Sequence, residues 1–185
     1  VVVTTGSSGG FMLAFLSAFD VGDRVALADP GYPAYRNILS ALGIEAVGVP
    51  TGPADRYQPT PALLDRIDGD IDGLIVASPA NPTGTMLPAD DMKALAAYCD
   101  DRGIRLISDE IYHRITYAMP AATALQFTDN AFVVNSFSKY YSMTGWRVGW
   151  MIIPEDLHRS VECLAQNIFI SVPSLSQRAA CAAFD

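Results

Sequence analysis

Apolar residues along the chain fall into seven short, nearly unbroken runs. They are VVVTT at 1–5, RVALAD at 24–29, EAVGVP at 45–50, GLIVAS at 73–78, RLISD at 105–109, AFVVNS at 131–136 and RVGWMII at 147–153. Runs this short, without apolar–polar alternation, predict strands buried on both faces. Between several of them the spacing becomes helical. Residues 8–19 place Met12, Phe15, Leu16 and Phe19 on one face. Residues 33–42, 60–67 and 88–101 also predict helices, with Gly103 as a stop just beyond the last of these. Strand–helix alternation predicts an α/β fold, three layers deep, with a mostly parallel seven-stranded sheet between helices. Residues 137–146 leave little room for a crossover helix, so the last strand is expected to run antiparallel. One domain fills 1–185, and AACAAFD at its end predicts a further helix.

Composition sharpens this picture mainly by exclusion. Of the 185 residues, 50% are hydrophobic and 17% charged, a balance that folds into a core. The net charge of -8 disfavours nucleic acid and anionic membranes as partners. No apolar run is long enough to span a bilayer. Cys99, Cys163 and Cys181 form no C-x-x-C pair, and His113 and His158 are the only histidines. A disulfide framework and a metal site are therefore not expected, and a reducing, cytoplasmic setting is. The chain opens inside an apolar run without Met and stops inside a helical one, so truncation at both ends is expected.

In parallel sheets, ligands bind beyond the carboxyl ends of the strands. Those ends read TTGSS, ADPGYPAY, ASPANPTG, SDEIY and NSFSK. Gly6-Ser7-Ser8-Gly9-Gly10 fits the nucleophile elbow G-x-S-x-G, with Ser8 as the candidate nucleophile. A hydrolase also needs an acid and then a histidine. Asp109 followed by His113 or His158 supplies that order and nothing more. The same turn, opening a helix, would instead offer backbone N–H groups to a phosphate. Lys139 is either a surface lysine or an amine that forms a Schiff base. Ser136, Ser138 and Arg147 around it suit a phosphate dianion. An amine for an aldehyde beside a phosphate clamp describes pyridoxal 5'-phosphate.

One longer stretch is more specific. Ser136-Phe-Ser-Lys139-Tyr-Tyr-Ser-Met-Thr-Gly-Trp-Arg147-Val-Gly149 resembles the cofactor-attachment motif of class I/II aminotransferases of fold type I. The resemblance implies that Lys139 carries the cofactor as a Schiff base. It implies that Ser136 and Arg147 bind the cofactor phosphate, with Ser138 a contact in some members, and that Gly6, Ser7 and Ser8 complete that site. Asp109 of Ser-Asp-Glu-Ile-Tyr would pair with the protonated ring nitrogen, and Tyr112 and Asn81 would bond the phenolic oxygen. Tyr32 would stack on the ring. Tyr35 is expected in the core, Glu110 in a structural role, and His113 in no role that the motif assigns. The activity implied is transfer of an amino group between an amino acid and a 2-oxo acid, by a homodimer when intact. A carbon–sulfur β-lyase or synthase, or the effector-binding domain of a transcription regulator, would share these motifs. The resemblance also implies an N-terminal segment and a small C-terminal domain, which holds the arginine for the substrate carboxylate, and both are expected to lie outside these residues.

Overall fold

The computed structural model describes residues 1–117 and 119–184. Its strands are β1 (Val2–Thr4), β2 (Arg24–Asp29), β3 (Glu45–Pro50), β4 (Gly73–Ala77), β5 (Arg105–Asp109), β6 (Ala131–Ser136) and β7 (Gly149–Ile152). Its helices are α1 (Gly6–Ala18), α2 (Pro33–Ala41), α3 (Pro61–Leu64), α4 (Ala89–Arg102), α5 (His158–Ile168) and α6 (Ser174–Ala182). All seven strands join one sheet in the order β1-β7-β6-β5-β4-β2-β3. Strands β2 to β6 pair in parallel, and β7 runs antiparallel to both β6 and β1. The expected antiparallel last strand is thus present.

The continuous apolar runs follow from burial on two faces. Adjacent residues of one strand enter opposite cores: Ile75, Ile107 and Val134 pack with Phe11, Phe15 and Leu39 on one side. Leu74, Leu106 and Val133 pack with Met92 and Leu95 of α4 on the other. Because side chains alternate across a strand, both neighbours must be apolar.

Four elements differ from the sequence reading. Helix α1 starts at Gly6, inside the Gly/Ser turn, rather than at residue 8. Helix α3 covers only 61–64, because Thr60 caps its start and the chain turns away through Gly69 at φ +78°. Strand β7 starts at Gly149, because Arg147 adopts a left-handed conformation that a strand cannot hold. Helix α5 lies outside the predicted elements. It buries Val161 and leaves most of its other residues at the surface, His158 included.

Candidate active site

The carboxyl ends of β2, β4, β5 and β6 meet the start of α1 around one cleft, whose interior is about 150 Å³. The amino end of α1 forms one wall. No side chain caps this helix, so its first N–H groups face the cleft unpaired. Gly6 sits there at φ +74°, and the Arg147 guanidinium occupies the space that a Cβ at Gly6 would fill. Arg147 is held by its left-handed backbone (φ 52°) and by donating to the Thr144 carbonyl at 2.8 Å. It pairs with no carboxylate among the described residues. Three sources of positive potential converge there: free amides, a helix dipole and an unpaired guanidinium. Such a wall has the charge and the donors to hold a phosphate dianion.

Lys139 projects from the turn after β6. That turn is closed by Ser142 N–H donating to the Lys139 carbonyl (3.0 Å) and Met143 N–H to the Phe137 carbonyl (3.1 Å). The Lys139 Nζ lies 5.6 Å from the centre of the Tyr112 ring. Ser138 lines the cleft, while Ser136 is buried one layer behind it. The two hydroxyls are 2.8 Å apart, and Ser136 also faces the Val148 carbonyl at 3.1 Å.

Asp109 closes β5 at the floor of the cleft and is 4% exposed. Its Oδ1 accepts the Ile111 N–H at 3.0 Å, and its Oδ2 accepts the Tyr35 hydroxyl. Burial pushes the Asp109 carboxyl up to about 6, against the pull of those two hydrogen bonds and of Lys139. Burial likewise raises the Tyr35 phenol, and the Asp109 charge raises it further. A buried carboxylate of this kind gains most from a cationic partner. The ring edge of Tyr32 meets Tyr35 at 82° with 5.3 Å between centres, leaving Tyr32 partly exposed along the cleft.

Nine sequence-predicted residues therefore share this cleft: Ser7, Ser8, Tyr32, Asn81, Asp109, Tyr112, Ser138, Lys139 and Arg147. Gly6 and Ser136 stand just behind its wall, the first under Arg147 and the second under Ser138. No histidine lines it among the described residues. The elbow therefore lacks the histidine that a hydrolase triad needs beside Ser8. Glu110 has the expected structural role: it is buried and accepts from the Ser108 hydroxyl (3.1 Å) and the Ala124 N–H (2.9 Å). Two functional contacts escaped the sequence. Tyr35 is a core residue that also bonds Asp109, and Thr144 lines the cleft while donating to the Ser138 carbonyl at 2.9 Å. The one sequence signal for Tyr35 is its place three residues after Tyr32, one helical turn on.

The donor set fits the chemistry of pyridoxal 5'-phosphate. Amides, hydroxyls and Arg147 would suit a dianion, a buried carboxylate would suit a ring cation, and the Lys139 amine lines the same cleft. No group of side chains that could hold a metal ion occurs among the described residues.

The family model of aminotransferase class I and II matches residues 1–185. The chain belongs to that family. It is 59% identical over 186 residues to the valine–pyruvate aminotransferase of Mycobacterium tuberculosis, covering 100% of this chain and 48% of that protein. An aminotransferase structure from M. tuberculosis superposes with a TM-score of 0.95 at 58% identity, over 99% of this chain and 50% of that one. The aspartate aminotransferase of Thermus thermophilus with maleate gives 0.92 at 28% identity, over 98% and 48%. The chain spans about half the length of the curated relatives it matches. The sheet and the flanking helices are accordingly those of an aminotransferase of fold type I.

Proposed function

We propose that the protein takes part in transferring an amino group between an amino acid and a 2-oxo acid, using pyridoxal 5'-phosphate. One observation carries this reading. Lys139, Asp109, Tyr112, Asn81 and the Arg147–α1 wall, contributed by separate strand ends, line a single cleft. When bound, the cofactor supplies an aldehyde for amines and a cationic ring that accepts electrons.

The protein's own residues do the rest. Ser7, Ser8 and Arg147 would hold the phosphate, and Ser138, whose hydroxyl donates to Ser136 behind it, would offer its oxygen and its place on the wall beside them. Asp109 keeps a proton on the ring nitrogen, as its burial makes a cationic partner favourable. Tyr112 and Asn81 donate to the phenolic oxygen, and Tyr32 covers one face of the ring and excludes water. The Lys139 Nζ would hold the cofactor through its aldehyde and, when its amine is free, would serve as the base for the proton on the substrate Cα.

The 59% identical relative acts on valine and pyruvate, which makes that pair the first to test. The intact protein is proposed to be a homodimer in the cytoplasm. No helix among the described residues is long and apolar enough to cross a membrane. For the site itself, Lys139→Ala is expected to abolish the visible absorbance of the loaded protein. It should also abolish cofactor retention through borohydride reduction and denaturation. An unchanged spectrum in Lys139→Ala would overturn the assignment.

A further inference from the structure

His113 follows Tyr112 directly, yet it does not line the cleft. Its ring spans two strand ends instead. Nδ1 lies 3.3 Å from Glu110 Oε2, and Nε2 lies 3.1 Å from the Ser78 carbonyl. A carbonyl only accepts, so Nε2 carries the hydrogen of that bond. Glu110 is fixed in turn by Ser108 and by the Ala124 amide, so the ring pushes from a rigid base.

Ser78 matters because it leads into the loop of Asn81. Strand β4 ends at Ala77, and Asn81 stands four residues further on, between Pro79 and Pro82. Neither proline has an N–H to bind the loop to its neighbours. Residues 80–85 close on themselves through Ala80 N–H to the Thr85 carbonyl (2.9 Å) and Gly84 N–H to the Ala80 carbonyl (2.8 Å). The buried Gln58 amide ties the base of the loop by donating to the Ala77 and Thr85 carbonyls (3.1 Å each), which leaves the Pro79–Pro82 stretch with Asn81 to be fixed from the β5 side. The connections from Ser78 to the β5 side are its N–H to the Asp109 carbonyl (3.3 Å) and its carbonyl to His113. The second sits next to Tyr112. Two groups meant to meet one oxygen atom must be held to a fraction of an ångström.

We propose that His113 is a positioning residue: through the Ser78 carbonyl it fixes the loop of Asn81 against the turn of Tyr112, so that both reach the same ligand atom. This rests on the cofactor reading above, and its test separates the two.

The intact protein is compared with His113→Ala, His113→Asn and His113→Gln. A glutamine amide reaches the Nε2 position and keeps the donor to Ser78, whereas an asparagine amide reaches only the Nδ1 position. Amide hydrogen exchange without cofactor is expected to rise about tenfold over residues 80–87 in the Ala and Asn variants, and to stay near wild type in Gln. Affinity for pyridoxal 5'-phosphate, read from fluorescence quenching, should fall by a similar factor in the same two variants only. Equal behaviour of Gln and Asn in the exchange experiment would overturn the proposal. A wild-type protein that takes up no cofactor would overturn the cofactor reading and leave the exchange result standing.

Discussion

Asp109 and Tyr35 show what one buried hydrogen bond contributes and how it is tested. The Asp109 carboxyl is raised from an ordinary 3.8 to about 6, chiefly by burial. A raised folded value means that the native, cofactor-free protein binds a proton more tightly than the unfolded chain. This group's contribution is therefore complete below pH 4 and is lost as the pH rises through 6. The loss is about 3 kcal/mol, at about 1.4 kcal/mol per pH unit. Denaturant melts of the cofactor-free wild type and of Asp109→Asn, from pH 4 to 7, should show that difference; a flat difference would refute it. Tyr35→Phe removes the hydroxyl that Oδ2 accepts and should destabilise the protein by about 1–3 kcal/mol at pH 7, less at pH 4. Asp109 was legible in the sequence because its neighbours form a motif. Its partner was not, because Tyr35 lies 74 residues away and nothing in the spacing records which core tyrosine faces the cleft.

Among the elements, strands were easier to read than helices, for a physical reason. A strand buried on both faces needs apolar residues throughout, and β2, β5 and β6 match their predicted bounds, as does the less buried edge strand β3. Helices α3 and α5 carry weaker signals, since each buries a single residue. The start of α1 depends on something local pattern cannot show, the crossing of β7 behind it. A Cβ at Gly149 would lie 2.7 Å from the Asn135 carbonyl oxygen and 3.1 Å from the Ser7 nitrogen. Backbone stands on both sides, so neither side can swing away. Gly149→Ala should cost about 1–3 kcal/mol in urea melts and weaken cofactor binding by pushing Ser7 out of line. Gly52→Ala serves as a control: Gly52 has extended backbone, and a methyl group there would meet nothing within 4 Å. Equal losses in the two variants would contradict the role given to the crossing.

Across the whole molecule, the cleft exists only when the sheet has assembled. Arg147 and Ser7 are distant in sequence and meet because β7 lies between β1 and β6. The unfolded chain has no such wall, so a phosphorylated cofactor held there, as proposed, would favour the native state and stabilise all of it. At a thousandfold excess over Kd the gain is about 4 kcal/mol, or roughly 8–16 °C in Tm for a chain of this size. The phosphate wall predicts how that gain divides. Pyridoxal, which lacks the phosphate, should raise Tm much less than pyridoxal 5'-phosphate. Arg147→Gln should lose much of the response to the phosphorylated form while leaving the response to pyridoxal unchanged. If Arg147→Gln lowered both responses equally, Arg147 would be supporting the fold of the cleft rather than binding the phosphate. Its left-handed backbone and its bond to Thr144 would then be the reason for its place.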